Sequence, residues 1–365
     1  MRNYHQTILP VLLLIALLFS PVRPVWAENP LPGEPPLLPD RFLPADLSIP
    51  SQPAAPLAPA RFYVRIPLVT NQVNLAADPT GSLANARTFY QQEYLSYAST
   101  PAGWTGSQAS CQPGTTSLAF QQAVLRRINY FRALAGVPAN VTFSADANRK
   151  AQAAALMISA SGQVSHSPST SWPCYSADAS SGAGSSNLFL GEFSWNAITG
   201  YMRDPGGLNS AAGHRRWILY PQTQTMGSGD VPAAGAYSSA NALVILDGHY
   251  GDPRPATRYG FVAWPPPGYV PAPLVFARWS FSYPLADFSQ ARVSMSSNGA
   301  NVPVTLAPVT NGFGENTLVW VPYSLSDAAS WPVQAINTSL SVTVSNVLVN
   351  GAVRSFSYSL TVFNP

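Results

Sequence analysis

The stretch Arg127-Ile128-Asn129-Tyr130-Phe131-Arg132-Ala133-Leu134-Ala135-Gly136-Val137-Pro138 decides the fold. Ile128, Phe131 and Leu134, with Val124 and Leu125 before them, recur at three- and four-residue spacing, the period of one helix face. Ser117 is a good N-cap for this helix, and Gly136 and Pro138 end it.

Forward of that stretch, Ser144 reads as the N-cap of a second helix with Asp146 in its first turn. It continues through alanine-rich residues from Ala151 to Ile158 and stops before Gly162, and its small side chains predict close packing against a neighbouring layer. A shorter helix from Trp195 to Met202 is stopped by Asp204-Pro205-Gly206-Gly207. Ala242-Leu243-Val244-Ile245-Leu246 has the signature of a buried strand. From Phe261 onward the period changes to short alternating runs, among them Arg292-Val293-Ser294-Met295, Thr317-Leu318-Val319-Trp320 and Leu340-Ser341-Val342-Thr343-Val344. Turn residues separate the runs as in a β-sandwich, and an Ig-like or fibronectin-like module over 260–365 is expected.

Backward of the stretch, residues 61–110 carry Phe62, Tyr63, Tyr90, Tyr94, Tyr97 and Trp104, too aromatic for a linker, and are expected to wrap onto the domain over 111–252. Residues 28–60 are proline-rich and read as an extended spacer. The apolar run from Ile8 to Phe19 is too short for a stable membrane helix, and Val25-Trp26-Ala27 supplies a cleavage site, so 1–27 reads as a signal peptide and the mature chain begins near Glu28. A retained signal anchor is the alternative. No later stretch is apolar for long enough to span a membrane, and the expected location is secreted, extracellular.

Removing the signal leaves 17 basic against 16 acidic residues of the original 19 and 16, a net charge of +1. That balance gives no electrostatic case for nucleic acid. Charged residues make up only 10% of the 365, which suits an extracellular surface. The two cysteines, Cys111 and Cys174, then face an oxidising compartment, where one disulfide is the simplest reading and two buried thiols the alternative.

H-E-x-x-H, G-x-S-x-G, the phosphate-binding loop and the EF-hand loop are all absent. Past the signal there remain three histidines: His166 in Val164-Ser165-His166-Ser167-Pro168, His214 in Ala212-Gly213-His214-Arg215-Arg216-Trp217-Ile218-Leu219, and His249. Spacing alone makes the first two weak evidence for a metal, although neutral imidazoles with open positions suit zinc.

The pieces resemble the CAP superfamily, the fold of cysteine-rich secretory proteins, antigen 5 and pathogenesis-related proteins. The helix with Asn129, Arg132 and Gly136-Val137-Pro138 is followed in the family's order by the alanine-rich helix ending near Met157, Ser165-His166, Ser186-Asn187-Leu188, Gly213-His214-Arg215 with Ile218-Leu219 and Pro221, and Met226-Gly227-Ser228-Gly229. The resemblance implies an α+β chain, with a CAP-type α-β-α sandwich ahead of the all-β sandwich. It also implies a cleft of two histidines and two acids, which in some members holds a divalent metal. His166 and His214 fall on the histidine positions, with zinc the implied ion. Ser186 stands where the first acid normally precedes Asn187, so the tetrad is incomplete. Asp204, three residues after Tyr201, stands at the second acid, and Glu192 is a further candidate that no motif places.

Two functions follow as expectations. One is a secreted module binding a small lipid-like or peptide ligand, or a cell-envelope or extracellular partner, with Asn187 and Arg216 as ligand contacts. The other is a metal-dependent, peptidase-like hydrolase acting from His166, His214 and Asp204 or Glu192. Trp217-Ile218-Leu219 reads as a core strand; on a strand Arg216 shares a face with His214, whereas Arg215 faces away and is structural.

Overall fold

The structure is a computed structural model that describes residues 78–326, 329–331 and 337–365, and the backbone of Val25–Trp26. Ala27, after which cleavage is expected, the spacer over 28–60 and residues 61–77 of the extension lie outside the described residues.

The helix of the opening stretch is α2, Leu118–Ala135; α1, Leu83–Tyr90, precedes it. Ser117 caps α2 by accepting from the Phe120 N–H at 3.2 Å, and Gly136, at φ 75°, closes it. The alanine-rich helix is α3, Ala145–Ser161, capped by Ser144 and ended by Gly162 at φ 65°. After it come α4 (Ala177–Gly184), α5 (Ser194–Arg203) and α6 (Gly213–Ile218).

These helices sandwich a sheet of order β1-β3-β5-β4-β2, where β1 is Val25–Trp26, β2 Thr142–Phe143, β3 Ser186–Leu190, β4 Thr225–Val231 and β5 Ala240–Val244. All its pairs are antiparallel except β2 with β4. Alternation along each strand divides the core: Leu188, Leu190, Ala242 and Val244 pack with α3 and α4, whereas Phe189 and Leu243 pack with α2 and α5. The result is an α-β-α sandwich. Its tightest layer is α3 on β4, where a Cβ on Gly229 would stand 2.1 Å from the Ala151 carbonyl carbon and one on Gly227 2.3 Å from that of Ala147. Only glycine admits a helix backbone so close, which gives Met226-Gly227-Ser228-Gly229 its physical sense.

The other motif residues also satisfy backbone. The Asn129 side chain donates to Val141 O at 2.9 Å and accepts from Val141 N at 3.1 Å, fastening the segment that leaves α2. Arg132, fully buried, donates to the carbonyls of Pro138, Ile218, Tyr220 and Thr223.

The C-terminal region is strand-rich. One sheet runs β11-β10-β14-β15-β7 with β9 also on β14, and the other β12-β13-β8-β6. Here β6 is Val262–Trp264, β7 Gly268–Pro271, β8 Trp279–Ser282, β9 Ala286–Asp287, β10 Arg292–Ser297 and β11 Ala300–Val302. The remaining strands are β12 Val304–Leu306, β13 Thr317–Pro322, β14 Thr338–Val349 and β15 Ala352–Phe363. Alternation in β14 buries Leu340, Val342 and Val344 in a core shared with Trp279, Phe281 and Trp320 of the other sheet.

Two features join the halves. Val262, Trp264, Leu274 and Phe276 belong to the helical core, with Trp264 edge-on to Phe131 at 5.3 Å. The segment before α2 also touches both, because Tyr90 and Tyr97 sit in the helical core while Thr80 O accepts from Tyr269 N at 2.9 Å. Cys111 and Cys174 form the expected disulfide, with Cα atoms 5.0 Å apart. Among the described residues no helix is long and apolar enough to cross a membrane.

Candidate functional site

His166 lies past α3, and its Nδ1 is 2.9 Å from Ala183 O, at the end of α4. A carbonyl can only accept, so Nδ1 carries the proton and, in the neutral ring, Nε2 keeps its lone pair. Burial pulls the His166 pKa below the usual imidazole value; the bond to Ala183 opposes this, and the nearby His214 charge adds to the lowering. The shift favours the neutral ring.

His214 lies in the first turn of α6 with its Nδ1 2.7 Å from Asp204 Oδ1. Asp204 closes α5 in the left-handed region at φ 52°, a conformation that Asp tolerates better than most residues. Its other oxygen accepts from the backbone N–H of His214 at 3.0 Å and of Arg215 at 3.4 Å. The Tyr201 ring packs 5.4 Å from the imidazole, and Asn187 donates to His214 O at 3.1 Å. Both histidines are therefore anchored around the start of β3, His166 through Ala183 just before it and His214 through Asn187 within it.

Each imidazole has its Nδ1 engaged by oxygen and, among the described residues, no protein partner at Nε2. An oxygen behind a metal-binding imidazole fixes the tautomer and raises its basicity. Neutral imidazole nitrogen is the kind of donor that zinc takes. Among the described residues no group of three or more His, Cys, Asp or Glu could hold a metal ion, so these two histidines make no closed structural site.

The other candidates have different surroundings. Ser186 is buried, and its hydroxyl has no hydrogen-bond partner among the described residues. Asp204 is fully enclosed, its oxygens occupied by His214 and Arg215. Asn187 is buried and holds backbone. Glu192 lies two residues past the far end of β3, beyond Gly191. It accepts from the Phe193 N–H, and burial raises its pKa.

The expected strand at Trp217-Ile218-Leu219 is not formed: Gly213–Ile218 is helical, and the face-sharing argument for Arg216 fails with it. Six residues are too few for a helical period to show in sequence. Arg215 donates to Met202 O, Arg203 O and Ser280 Oγ. Arg216 donates to Ala211 O, Thr310 O and Glu315 O, with Nε unpartnered. Both arginines thus reach the strand-rich region, and burial lowers their pKa values to about 9 and about 10.

Sequence reasoning missed the residues that hold the site from outside it. Arg278 donates to Asp204 O and, at 2.7 Å, to Gly206 O. Phe313 lies against Gly213 and beneath Arg216, whose Cζ is 5.3 Å from the ring centroid. Ser228, Asp230 and Asn241 form a buried hydrogen-bonded set that meets Tyr201 through Asn241 at 2.9 Å. No local pattern marks Arg278, Phe313, Asp230 or Asn241; Ser228 lies in the Met226-Gly227-Ser228-Gly229 motif, whose legible members were its glycines.

The cysteine-rich secretory protein family, CAP, matches residues 125–245, and that region is a CAP domain. The span contains both histidines, Asp204, Ser186 and the glycines of β4. Among solved structures the chain is similar to selenomethionine PcoC, a copper resistance protein from Escherichia coli, at 12% identity and a TM-score of 0.21, over 27% of this chain and 94% of that one. A likeness that low carries no argument. A comparison with curated proteins found no match.

Proposed function

We propose that this CAP-domain protein is a secreted binding module rather than a hydrolase, with His166 and His214 presenting their Nε2 atoms to a divalent cation and to the small or peptide ligand that the cation engages. The observation that carries the reading is the use of the acids. The alternative, a metal-dependent hydrolase, would use a carboxylate as the general base that takes a proton from water. Position 186 is serine, and Asp204 has both oxygens engaged by His214 and Arg215. Asp204 orients His214 and is not a free base.

The cation would be held by His166 and His214 and supply a positive charge with open positions for ligand oxygen or nitrogen atoms. The chain's own contribution is orientation: Ala183 O and Asp204 fix both tautomers, and Asn187 fixes the backbone of His214. Secretion is supported by the disulfide and by the cleavable apolar leader in the sequence.

Zinc titration of the metal-free protein by calorimetry tests the proposal, with His166→Ala and His214→Ala alongside. One zinc per chain, lost in both variants, is expected, without hydrolysis of peptide or ester substrates. Zinc-dependent hydrolysis abolished by either substitution would overturn the non-catalytic reading; no zinc bound by the unsubstituted chain would overturn the metal reading.

A further inference from the structure

The two halves of the histidine site are held differently. His166 is anchored inside the CAP domain, by Ala183. The half that carries Asp204 and His214 is gripped from the strand-rich region. Arg278, just before β8, donates to the carbonyls of Asp204 and Gly206; Ser280 of β8 accepts from Arg215; Thr310 O and Glu315 O accept from Arg216; and Phe313 covers Gly213.

The local chain would not keep this geometry alone. Helix α6 is six residues long, well under the length at which a helix is stable by itself. Both residues that aim it, Asp204 at φ 52° and Ala212 at φ 51°, are non-glycine residues in the left-handed region, a conformation that surrounding contacts must stabilise. Those contacts come largely from residues 278–315. A guanidinium spanning two carbonyls of the 204–206 turn fixes the rotation of the Asp204 peptide, and with it the direction of the carboxylate toward His214.

We infer that the strand-rich region completes the CAP site, with Arg278 as a positioning residue that sets the Asp204–His214 pair and Phe313 as the wedge that seats α6. The inference rests on His214 being a ligand-facing residue of the cleft. It gives the C-terminal region a role in the site.

The test uses the full mature chain with labelled histidine. Solvent exchange of the His214 Nδ1 proton, protected by its bond to Asp204, is followed by NMR in wild type, Arg278→Ala, Arg278→Lys, Phe313→Ala and the exposed control Arg292→Ala, together with thermal unfolding and zinc affinity. The expected result is faster His214 exchange in Arg278→Ala and Phe313→Ala, unchanged exchange in Arg292→Ala, and weak rescue by lysine, whose compact ammonium does not reproduce the fork. Zinc affinity should fall about tenfold or more, the usual cost of losing support behind a metal ligand. Folded Arg278→Ala and Phe313→Ala proteins that keep wild-type exchange at His214 would overturn the inference, whatever their unfolding temperatures. Should Arg278→Ala fail to fold, Phe313→Ala decides alone; should wild type bind no zinc, the metal reading falls and the exchange measurement still decides this one.

Discussion

Asp204 accepts from His214 twice, from Nδ1 at 2.7 Å and from the backbone N–H at 3.0 Å, so one carboxylate fixes both the ring and the start of the helix that carries it. An Asp204→Asn substitution keeps the shape and removes half of this, because the amide NH2 must face one of the donors. Leaving buried donors unmatched costs about 1–3 kcal/mol, which a urea transition will show. Zinc affinity should fall 10- to 100-fold with it. A variant as stable as wild type and equal in affinity would remove Asp204 from the site.

The pKa values of His166 and His249 are shifted in opposite directions. Burial lowers the His166 pKa, and hydrogen bonding to Asp252 raises that of exposed His249. For His166 the native state binds fewer protons than the unfolded chain, so its contribution to stability declines as pH falls below about 6.5. For His249 the native state binds more, so its contribution is full below about 6.5 and is lost as pH rises through the raised folded value. In NMR titration of the chelator-treated protein, His249 should titrate above the ordinary value and His166 below it, with Asp252→Asn returning His249 toward the ordinary value. The opposite order would contradict both assignments.

The Cys111–Cys174 bond closes a separation of 63 residues between the segment before α2 and the loop after α3. Chain entropy sets its contribution at about 4 kcal/mol. A Cys111→Ser, Cys174→Ser double variant should lose about that much in urea, with an unchanged fold by circular dichroism. A loss under about 1 kcal/mol would mean that the denatured chain keeps this loop closed without the bond.

Residues that solve a local backbone problem were the legible part of the sequence. Ser117, Gly136 and Gly162 are caps, Gly227 and Gly229 allow a helix to touch a strand, and Asn129 secures the exit from α2; each sits at a fixed offset from the element it serves. His166 and His214 were found through the order of such pieces. The local structure at Arg215 and Arg216, and with it the face argument for Arg216, was misread because α6 is shorter than any period that could reveal it, and because both arginines face an interface with residues about 60 to 100 positions later. Arg278 and Phe313 were invisible for the same reason: their meaning lies in which carbonyls and which glycine they meet, and only the tertiary fold supplies those.

Arg132 gives the sharpest test of how the motif holds the fold. It is completely buried, and the hydrogen bonds of its guanidinium all go to carbonyls, those of Pro138, Ile218, Tyr220 and Thr223, which ties α2 to the chain leaving α6. Burial lowers its pKa to about 9, with the Asp247 charge opposing, so the group stays charged at pH 7. Arg132→Met fills much of the volume and leaves the carbonyls of Pro138, Ile218 and Thr223 without this donor, while Tyr220 O keeps its bond from the Thr223 N–H; at about 1–3 kcal/mol for each unsatisfied group the variant should lose at least 3 kcal/mol or fail to fold. Arg132→Lys keeps the charge and loses the planar fork, and an ammonium with three donors cannot reach carbonyls spread around a guanidinium, so its loss should be smaller but clear. Because the Ile218 and Tyr220 carbonyls sit at the end of α6, zinc affinity at His214 should weaken in the lysine variant even at temperatures where it is fully folded. A lysine variant matching wild type in both midpoint and affinity would show that charge alone, and not the fork, secures this junction.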